Sequence, residues 1–175
     1  MTLTSRPACP ADVPVLLPLI AAATAELQRA YLDDDQIRSS QAIMGLDTQL
    51  IDDGTYFVVE SDGELAGCGG WSRRATLYGG DHSAGRDAAL LDPATDPARI
   101  RAMYTHPAFA RRGVGRLGLA RCTEAAAAEG FTVLELMGTM AGRPLYEADG
   151  FQVVEHLTDD SGGVPVPLVR MRKHL

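Results

Sequence analysis

The chain has 175 residues, enough for one compact domain that buries roughly 70% of its unfolded surface. Apolar residues make up 46% and charged residues 22% of the composition, which is ordinary for a globular α/β protein and unlike a disordered chain. The net charge of -7 opposes binding to nucleic acid, because phosphate backbones attract dense positive charge. We therefore expect a single domain over residues 1–175 that does not bind nucleic acid.

The three cysteines, Cys9, Cys68 and Cys122, are widely spaced and form no CxxC or other metal-type pattern. They favour reduced thiols that fill the core, and we expect no metal. No stretch approaches the ~20 apolar residues that span a bilayer, and no basic region with an apolar run opens the chain. We expect a cytoplasmic protein that does not enter the membrane.

The first third of the chain predicts a strand at 2–6, a helix at 12–31 and a second helix at 36–50. Asp12 is the expected N-cap of the first helix, and Pro18 is expected to kink or delay it, since proline removes a helix hydrogen bond. Three aspartates at 33–35 suit the positive end of the second helix. Whether they also attract a cationic amine stays open.

The rest of the chain starts with the clearest β signal. A hairpin is expected from strands at 55–60 and 64–71, followed by a long polar connection at 72–98 that is typical of functional or mobile loops. The later elements are a strand at 99–105, a helix at 114–129, a strand at 131–137, a short helix at 143–148 and strands at 151–156 and 166–172. The strand, helix, strand unit predicts two parallel strands joined by a right-handed crossover, in a mixed sheet with helices on both faces.

The segment at 103–115, MYTHPAFARRGVG, joins a strand to a helix through a turn with two glycines. Backbone N–H groups at such a helix start, with the positive end of the helix dipole, suit a pyrophosphate, and glycine lets phosphate oxygens come close. Arg111, Arg112 and Arg116 can add charge-assisted hydrogen bonds. The turn around Gly113 and Gly115 is therefore a candidate anion site.

Other phosphate motifs fit this turn less well. A Walker loop needs Gly-Lys followed by Ser or Thr, whereas Gly115 is followed by Arg116. The spacing of Gly113, Gly115 and Gly118 matches a dinucleotide fingerprint, but the turn comes about a hundred residues into the chain. The acid expected some twenty residues later is also out of context, because Glu135 lies inside a predicted strand.

Three segments in order resemble the GNAT superfamily of acyl-CoA-dependent N-acetyltransferases. The family's pyrophosphate-binding signature is similar to MYTHPAFARRGVG. Its late helix, which carries a tyrosine before a Gly-Phe pair, is similar to PLYEADGF at 144–151. The pair of strands before its cofactor strand is similar to TYFVVESDGELAGCGGW. The resemblance covers residues 55–155. It implies a mixed, mostly antiparallel sheet with helices on both faces, in the order β-α-α-β-β-β-α-β-α-β-β.

The resemblance also implies site residues and a co-substrate, acetyl-CoA, with no metal. Tyr146 takes the place of the family's catalytic tyrosine, which would protonate the departing CoA thiolate. The positions expected to contact acetyl-CoA are Met103, Tyr104, Thr105, Arg111, Arg112, Gly113, Val114, Gly115 and Arg116.

The chain departs from the family pattern at several positions. Ala110 replaces the usual Gln or Arg of the signature, and Thr139 and Gly142 stand where many members have Asn and Ala. Members with an early glutamate on the cofactor strand would place it near Arg99, which cannot accept a proton. We therefore expect deprotonation of the acceptor through water, with Tyr104, His82 and His106 as weaker candidate bases.

The acceptor side is expected near the end of the hairpin and the long connection, at Trp71, Arg73, Arg74 and Tyr78. If the arginines line the pocket, the acceptor carries a carboxylate or phosphate beside its amine. The predicted partner is a small-molecule or peptide amine, and the oligomeric state, including a homodimer, stays open. The alternative is a non-catalytic CoA-binding regulatory module, which the alanine at position 110 and the missing carboxylate base favour.

Overall fold

The computed structural model describes residues 1–175 and is organised around one seven-stranded sheet with the strand order β1-β2-β3-β4-β5-β7-β6. Every neighbouring pair is antiparallel except β4 and β5. The strands are β1 (Leu3–Pro7), β2 (Tyr56–Ser61), β3 (Glu64–Ser72), β4 (Ala98–Thr105), β5 (Val133–Thr139), β6 (Gln152–Asp159) and β7 (Val166–His174). The predicted fold class, a mixed and mostly antiparallel sheet with helices, is confirmed.

Five α-helices accompany the sheet: α1 (Val13–Glu26), α2 (Asp34–Ser40), α3 (Thr48–Asp52), α4 (Val114–Ala128) and α5 (Arg143–Ala148). Short 3-10 turns lie at Pro10–Asp12 and Pro107–Phe109. None of the helices is long and apolar enough to cross a membrane.

The helix predicted at 36–50 is two helices, which adds one element to the predicted order. Helix α2 ends at Ser40, and the chain then passes through Gly45, whose φ of 146° is far outside helical values. Asp47 restarts the helix, because its carboxylate accepts a hydrogen bond from the Gln49 N–H and caps α3. The continuous apolar spacing of this segment did not reveal the break.

Helix α1 also differs from its prediction. It begins at Val13 and continues through Pro18, so the proline does not delay it. Asp12 is the N-cap residue of α1, as expected, but its side chain makes no hydrogen bond to the helix. Its carboxylate instead accepts from the Cys9 N–H at 2.8 Å, in the 3-10 turn before the helix. The same carboxylate pairs with Arg6 at 2.9 Å and thereby ties β1 to the start of α1.

The two sides of the sheet carry separate hydrophobic cores. One lies under α4 and includes Leu119, Cys122 and Leu134; the other lies under α1 and includes Leu16 and Tyr56. Burial of these side chains supplies the main driving force for packing the helices on the sheet.

In strand β4 the regular alternation of side chains between the two faces of the sheet is interrupted at Ala102, which has a φ of 49°. The register between β3 and β4 shifts at the same level. As a result Ile100 and Met103 face the core under α4, whereas Tyr104 faces the core under α1. This irregularity decides which β4 side chains reach each side of the sheet.

Strands β4 and β5 are parallel, as predicted, but they pair over a very short length. Only Ala98 with Leu134 and Arg99 with Glu135 are in register. Beyond Arg99 the two strands separate, although each stays paired with its outer neighbour. The sheet therefore opens in its middle, and this opening leads to the candidate site.

Candidate functional site

The opening between β4 and β5 leads into a cavity of about 700 Å³. Met103, Tyr104 and Thr105 of β4 and Met137 and Thr139 of β5 line its walls. Beyond Arg99, β4 has no β5 partner, so the backbone groups that it turns towards β5 make no strand pairing and can pair with an extended ligand. The Ala102 carbonyl already accepts from the Tyr56 hydroxyl at 2.9 Å. The cavity is thus a slot that offers main-chain hydrogen bonds along one wall.

The glycine turn forms one end of this slot. Gly113 is the N-cap residue of α4 with a φ of 87°, and no side chain caps the helix, so the first N–H groups of α4 have no partner there. A Cβ on Gly115 would lie 2.8 Å from Leu145 Cδ2, so the Leu145 side chain would have to shift to admit one. The free N–H groups and the helix dipole make this end a site for an anion.

Most of the residues predicted to contact the cofactor come together at the slot. Arg112 does not: its guanidinium lies 5.8 Å from the centre of the Phe109 ring, outside the cavity lining. The residues from the prediction that line the cavity are Met103, Tyr104, Thr105, Arg111, Gly113, Val114, Gly115 and Arg116.

Tyr146 lines the cavity from α5, on the β5 side of the opening. Its ring packs edge-on against Phe151 at 6.0 Å and lies close to Gly142, where a Cβ would come within 3.0 Å of it. Burial raises the pKa of the phenol above its ordinary value, so the hydroxyl holds its proton. No protein group makes a hydrogen bond to this hydroxyl, which leaves it available to a ligand.

The three candidate bases, Tyr104, His82 and His106, are not placed to accept a proton from an amine in the cavity. Tyr104 lines the cavity, but its hydroxyl accepts a hydrogen bond from the Gly45 N–H at 2.8 Å, and burial raises its pKa. His106 accepts from the Ala108 N–H, and His82 lies 2.7 Å from the Gln41 carbonyl; neither lines the cavity. No aspartate, glutamate, histidine or lysine lines it either, so the wall offers no carboxylate or imidazole as a base.

Three of the four residues expected on the acceptor side do not reach the cavity. Trp71 is 1% exposed and packs edge-on against Phe131 in the core under α4, because β3 directs it to that side of the sheet. Arg73 pairs with Glu129, and Arg74 pairs with Asp53. Their charges are therefore compensated elsewhere.

Tyr78 does line the cavity, as part of the connection between β3 and β4. Its hydroxyl donates to Asp159 of β6 at 2.9 Å, and burial raises its pKa to about 12. The connection therefore supplies a wall of the site, although through a different part than the predicted arginines.

The cavity residues that the sequence patterns missed include two buried polar ones. Gln28 follows α1 and is 2% exposed; Arg101 of β4 is 3% exposed and pairs with Asp47. A charged residue inside a buried strand was a usable signal for Arg101, since such a charge requires a partner. Nothing in the local sequence distinguishes Gln28 from a surface glutamine.

Solved structures share this fold over nearly the whole chain. A GCN5-related N-acetyltransferase from Rhodopseudomonas palustris has a TM-score of 0.73 at 18% identity, covering 100% of this chain and 97% of its own. PaiA N-acetyltransferase from Thermoplasma acidophilum, in complex with coenzyme A, has a TM-score of 0.66 at 13% identity, covering 100% of both chains. YncA, a putative acetyltransferase from Salmonella typhimurium with its cofactor acetyl-CoA, has a TM-score of 0.64 at 21% identity, covering 100% of this chain and 95% of its own.

Sequence comparison gives the family directly. No curated protein sequence matches the chain. The family model described as acetyltransferase (GNAT) family matches residues 20–151, which include the opened strands, the glycine turn and the helix that carries Tyr146. The chain therefore belongs to the GNAT family of acetyltransferases.

Proposed function

We propose that the protein is an N-acetyltransferase that moves the acetyl group of acetyl-CoA to a primary amine on a small molecule or a peptide. The observation that carries this proposal is the continuous cavity that joins an uncapped helix start, a free strand edge and the unpartnered hydroxyl of Tyr146. These are an anion site, a main-chain docking edge and a proton donor in one slot.

The residues present suit coenzyme A. The N–H groups that follow Gly113, together with the side chains of Arg111 and Arg116, match a diphosphate in charge and hydrogen bonding. The free edge of β4 at Met103 to Thr105 matches the amide groups of a pantetheine arm. Acetyl-CoA would supply an acetyl thioester, and the remaining steps depend on groups of the protein and the acceptor.

The acceptor nitrogen forms a bond to the acetyl carbon, and the carbon–sulfur bond breaks. A backbone N–H of β4 near Met103 stabilises the charge that develops on the carbonyl oxygen. Tyr146 gives its proton to the leaving sulfur, a role open to a phenol because it stays protonated at neutral pH.

The acceptor must also lose a proton, since an alkyl ammonium with a pKa near 10 has no free electron pair. With no carboxylate or imidazole on the cavity wall, this proton leaves through water. The amine therefore reacts from the small fraction that is neutral in solution.

The lack of a base on the cavity wall is also consistent with a second function, that of a regulatory module that binds CoA without turnover. Incubation with acetyl-CoA and a panel of primary amines separates the two, with free thiol as the readout. Acceptor-dependent thiol release is expected. CoA binding without release by any amine would support the module, and no binding of CoA or acetyl-CoA in calorimetry would remove both functions.

The assay needs a protein without a reactive thiol of its own. Cys9 is exposed, whereas Cys68 and Cys122 are buried. A Cys9→Ser variant keeps the backbone N–H that bonds to Asp12 and removes the exposed thiol. Thiol release measured with this variant then reports CoA alone.

A further inference from the structure

The half of the cavity away from the glycine turn has apolar walls. Leu27 and Met44 come from the helical layer, Leu77 from the connection between β3 and β4, and Met137 and Leu168 from the sheet. We call this region the acceptor half. Such walls favour an apolar ligand, because water leaves both surfaces when it binds.

The only charged side chain in the acceptor half has its partners already. Arg101 donates to Asp47 Oδ2 at 2.9 Å and to the Gly79 carbonyl at 2.6 Å. No carboxylate lines the region. A carboxylate or a second ammonium on the acceptor would therefore lose its hydration without finding an opposite free charge.

Gln28 is a neutral polar residue among the cavity's lining residues, and its hydrogen bonds are incomplete. Its Nε2 donates to the Thr24 carbonyl at 3.1 Å and to Ser40 Oγ at 3.0 Å. Its Oε1 is buried and has no partner. A buried amide oxygen without a partner costs about 1–3 kcal/mol, so a ligand that donates a hydrogen bond to it recovers this energy.

The orientation of this amide follows from its neighbours. The Thr24 carbonyl can only accept, and Ser40 uses its own proton to bond the Ile37 carbonyl at 2.6 Å. Both neighbours of Gln28 therefore require N–H donors, and the nitrogen of the amide must face them. The oxygen is left without a partner, in a residue that lines the cavity.

We infer that the acceptor is an apolar primary amine that carries one neutral hydrogen-bond donor, such as a hydroxyl, and that Gln28 Oε1 accepts this hydrogen bond. The inference rests on the proposed acetyl transfer and specifies its substrate class. It reverses the expectation of a carboxylate or phosphate on the acceptor, which depended on Arg73 and Arg74 lining the pocket.

Matched amine pairs test the hydrogen bond. Each pair differs by one hydroxyl, and the pairs differ in length: 4-hydroxybenzylamine with benzylamine, tyramine with phenethylamine, and 4-(3-aminopropyl)phenol with 3-phenylpropylamine. For at least one length, kcat/KM is expected to be about tenfold or more higher with the hydroxyl. Tyrosine, which adds a carboxylate to tyramine, is expected to be poorer by a similar factor.

The variant Gln28→Met keeps the side-chain length and removes the acceptor oxygen. In Gln28→Met the preference for the hydroxylated amine is expected to fall to less than about threefold. The control variant is Gln41→Met, which changes an exposed glutamine next to α2 and is expected to keep the full preference. Because the preference is a ratio within one protein, partial unfolding of a variant does not change it. If Gln28→Met yields no folded protein, the rates of the unmodified protein with the three amine pairs and with tyrosine still test the proposed acceptor class.

A binding measurement complements the rates. In calorimetry with CoA-saturated protein, the hydroxylated amine of the preferred pair should bind about tenfold more tightly than its partner. Equal rates of thiol release for the two amines of every pair, or faster release with tyrosine than with tyramine, would contradict the proposed acceptor class. Either result would still be consistent with acetyl transfer. No release with any amine would overturn both.

Discussion

Arg101 and Asp47 form an ion pair of 2.9 Å in which both side chains are 2% exposed. The pair joins β4 to the residue that caps α3, and the same guanidinium donates to the Gly79 carbonyl in the connection between β3 and β4. Desolvation lowers the pKa of Arg101, and the charge of Asp47 acts against this. One buried pair thus holds the strand, the helical layer and the connection around the acceptor half.

Removing one partner of this pair should strongly destabilise the protein. Asp47→Ala leaves Arg101 charged and buried, and the expected loss is about 3–5 kcal/mol. For a chain of this size this corresponds to a melting temperature lower by roughly 10 °C or more. Asp35→Ala serves as the control, since its pair with Arg38 is exposed and should contribute less than about 1 kcal/mol. Equal melting temperatures for the two variants would contradict this assignment.

Tyr146→Phe should reduce turnover by about 10- to 10,000-fold, because the leaving sulfur loses its proton donor. The affinity for acetyl-CoA should change little. The fold should also be unaffected, since the hydroxyl has no hydrogen bond within the protein and the ring keeps its contact with Phe151. Stopped assays with Cys9→Ser as the background, together with calorimetry, measure both quantities. An unchanged turnover would remove Tyr146 from the acid role.

The three arginines of the glycine turn should differ in their effect on CoA affinity. Arg111→Ala and Arg116→Ala should each weaken binding by about tenfold, because these residues line the cavity and can pair with phosphate oxygens. Arg112→Ala should have a smaller effect, since that side chain lies over Phe109. The losses for Arg111 and Arg116 should shrink at high salt, where screening weakens charge pairs. A dominant role of Arg112 in calorimetric titrations would refute this division.

The pH dependence of kcat/KM should follow the acceptor. Only the neutral amine attacks, and no residue of the wall acts as a base, so the rate should rise about tenfold per pH unit up to the pKa of the amine, near 10. The raised pKa of Tyr146 keeps the acid protonated over this range, so no fall is expected below about pH 10. A plateau reached near pH 7 would instead reveal a protein base.

The three thiols should react at very different rates. Cys9 is exposed, whereas burial raises the pKa of Cys68 to about 12 and also raises that of Cys122. Since the thiolate is the reactive form, a thiol reagent should label one cysteine in the native protein near pH 8 and three after denaturation. Cys9→Ser should abolish the fast reaction. Fast labelling of a second site in that variant would show that the core opens readily.

Local patterns predicted much of this architecture. The hairpin of β2 and β3, helix α4 and helix α5 lie within a few residues of their expected bounds, because each has its own periodicity and its own turn or cap. The break between α2 and α3 was not predicted. It depends on Asp47, whose carboxylate serves a cap and a buried arginine 54 residues away at the same time.

The candidate site was predictable on its cofactor side and much less on its acceptor side. The glycine turn is one continuous segment, so its residues stay together in any fold that forms the helix after it. The acceptor half comes from six separated segments, and its lining depends on the local irregularity at Ala102 and on how β3 directs Trp71. Strand alternation alone could not show that Trp71 faces the core under α4.

The sequence by itself determined the family, the order of most elements and the turn that suits a diphosphate, since each depends on residues that are neighbours along the chain. Only the tertiary structure decided the character of the acceptor half. The separation of β4 from β5, the compensation of Arg73, Arg74 and Arg101 by distant carboxylates and the unpartnered oxygen of Gln28 all arise from contacts between remote segments. Their effects on charge and hydration exist only after these segments have packed together.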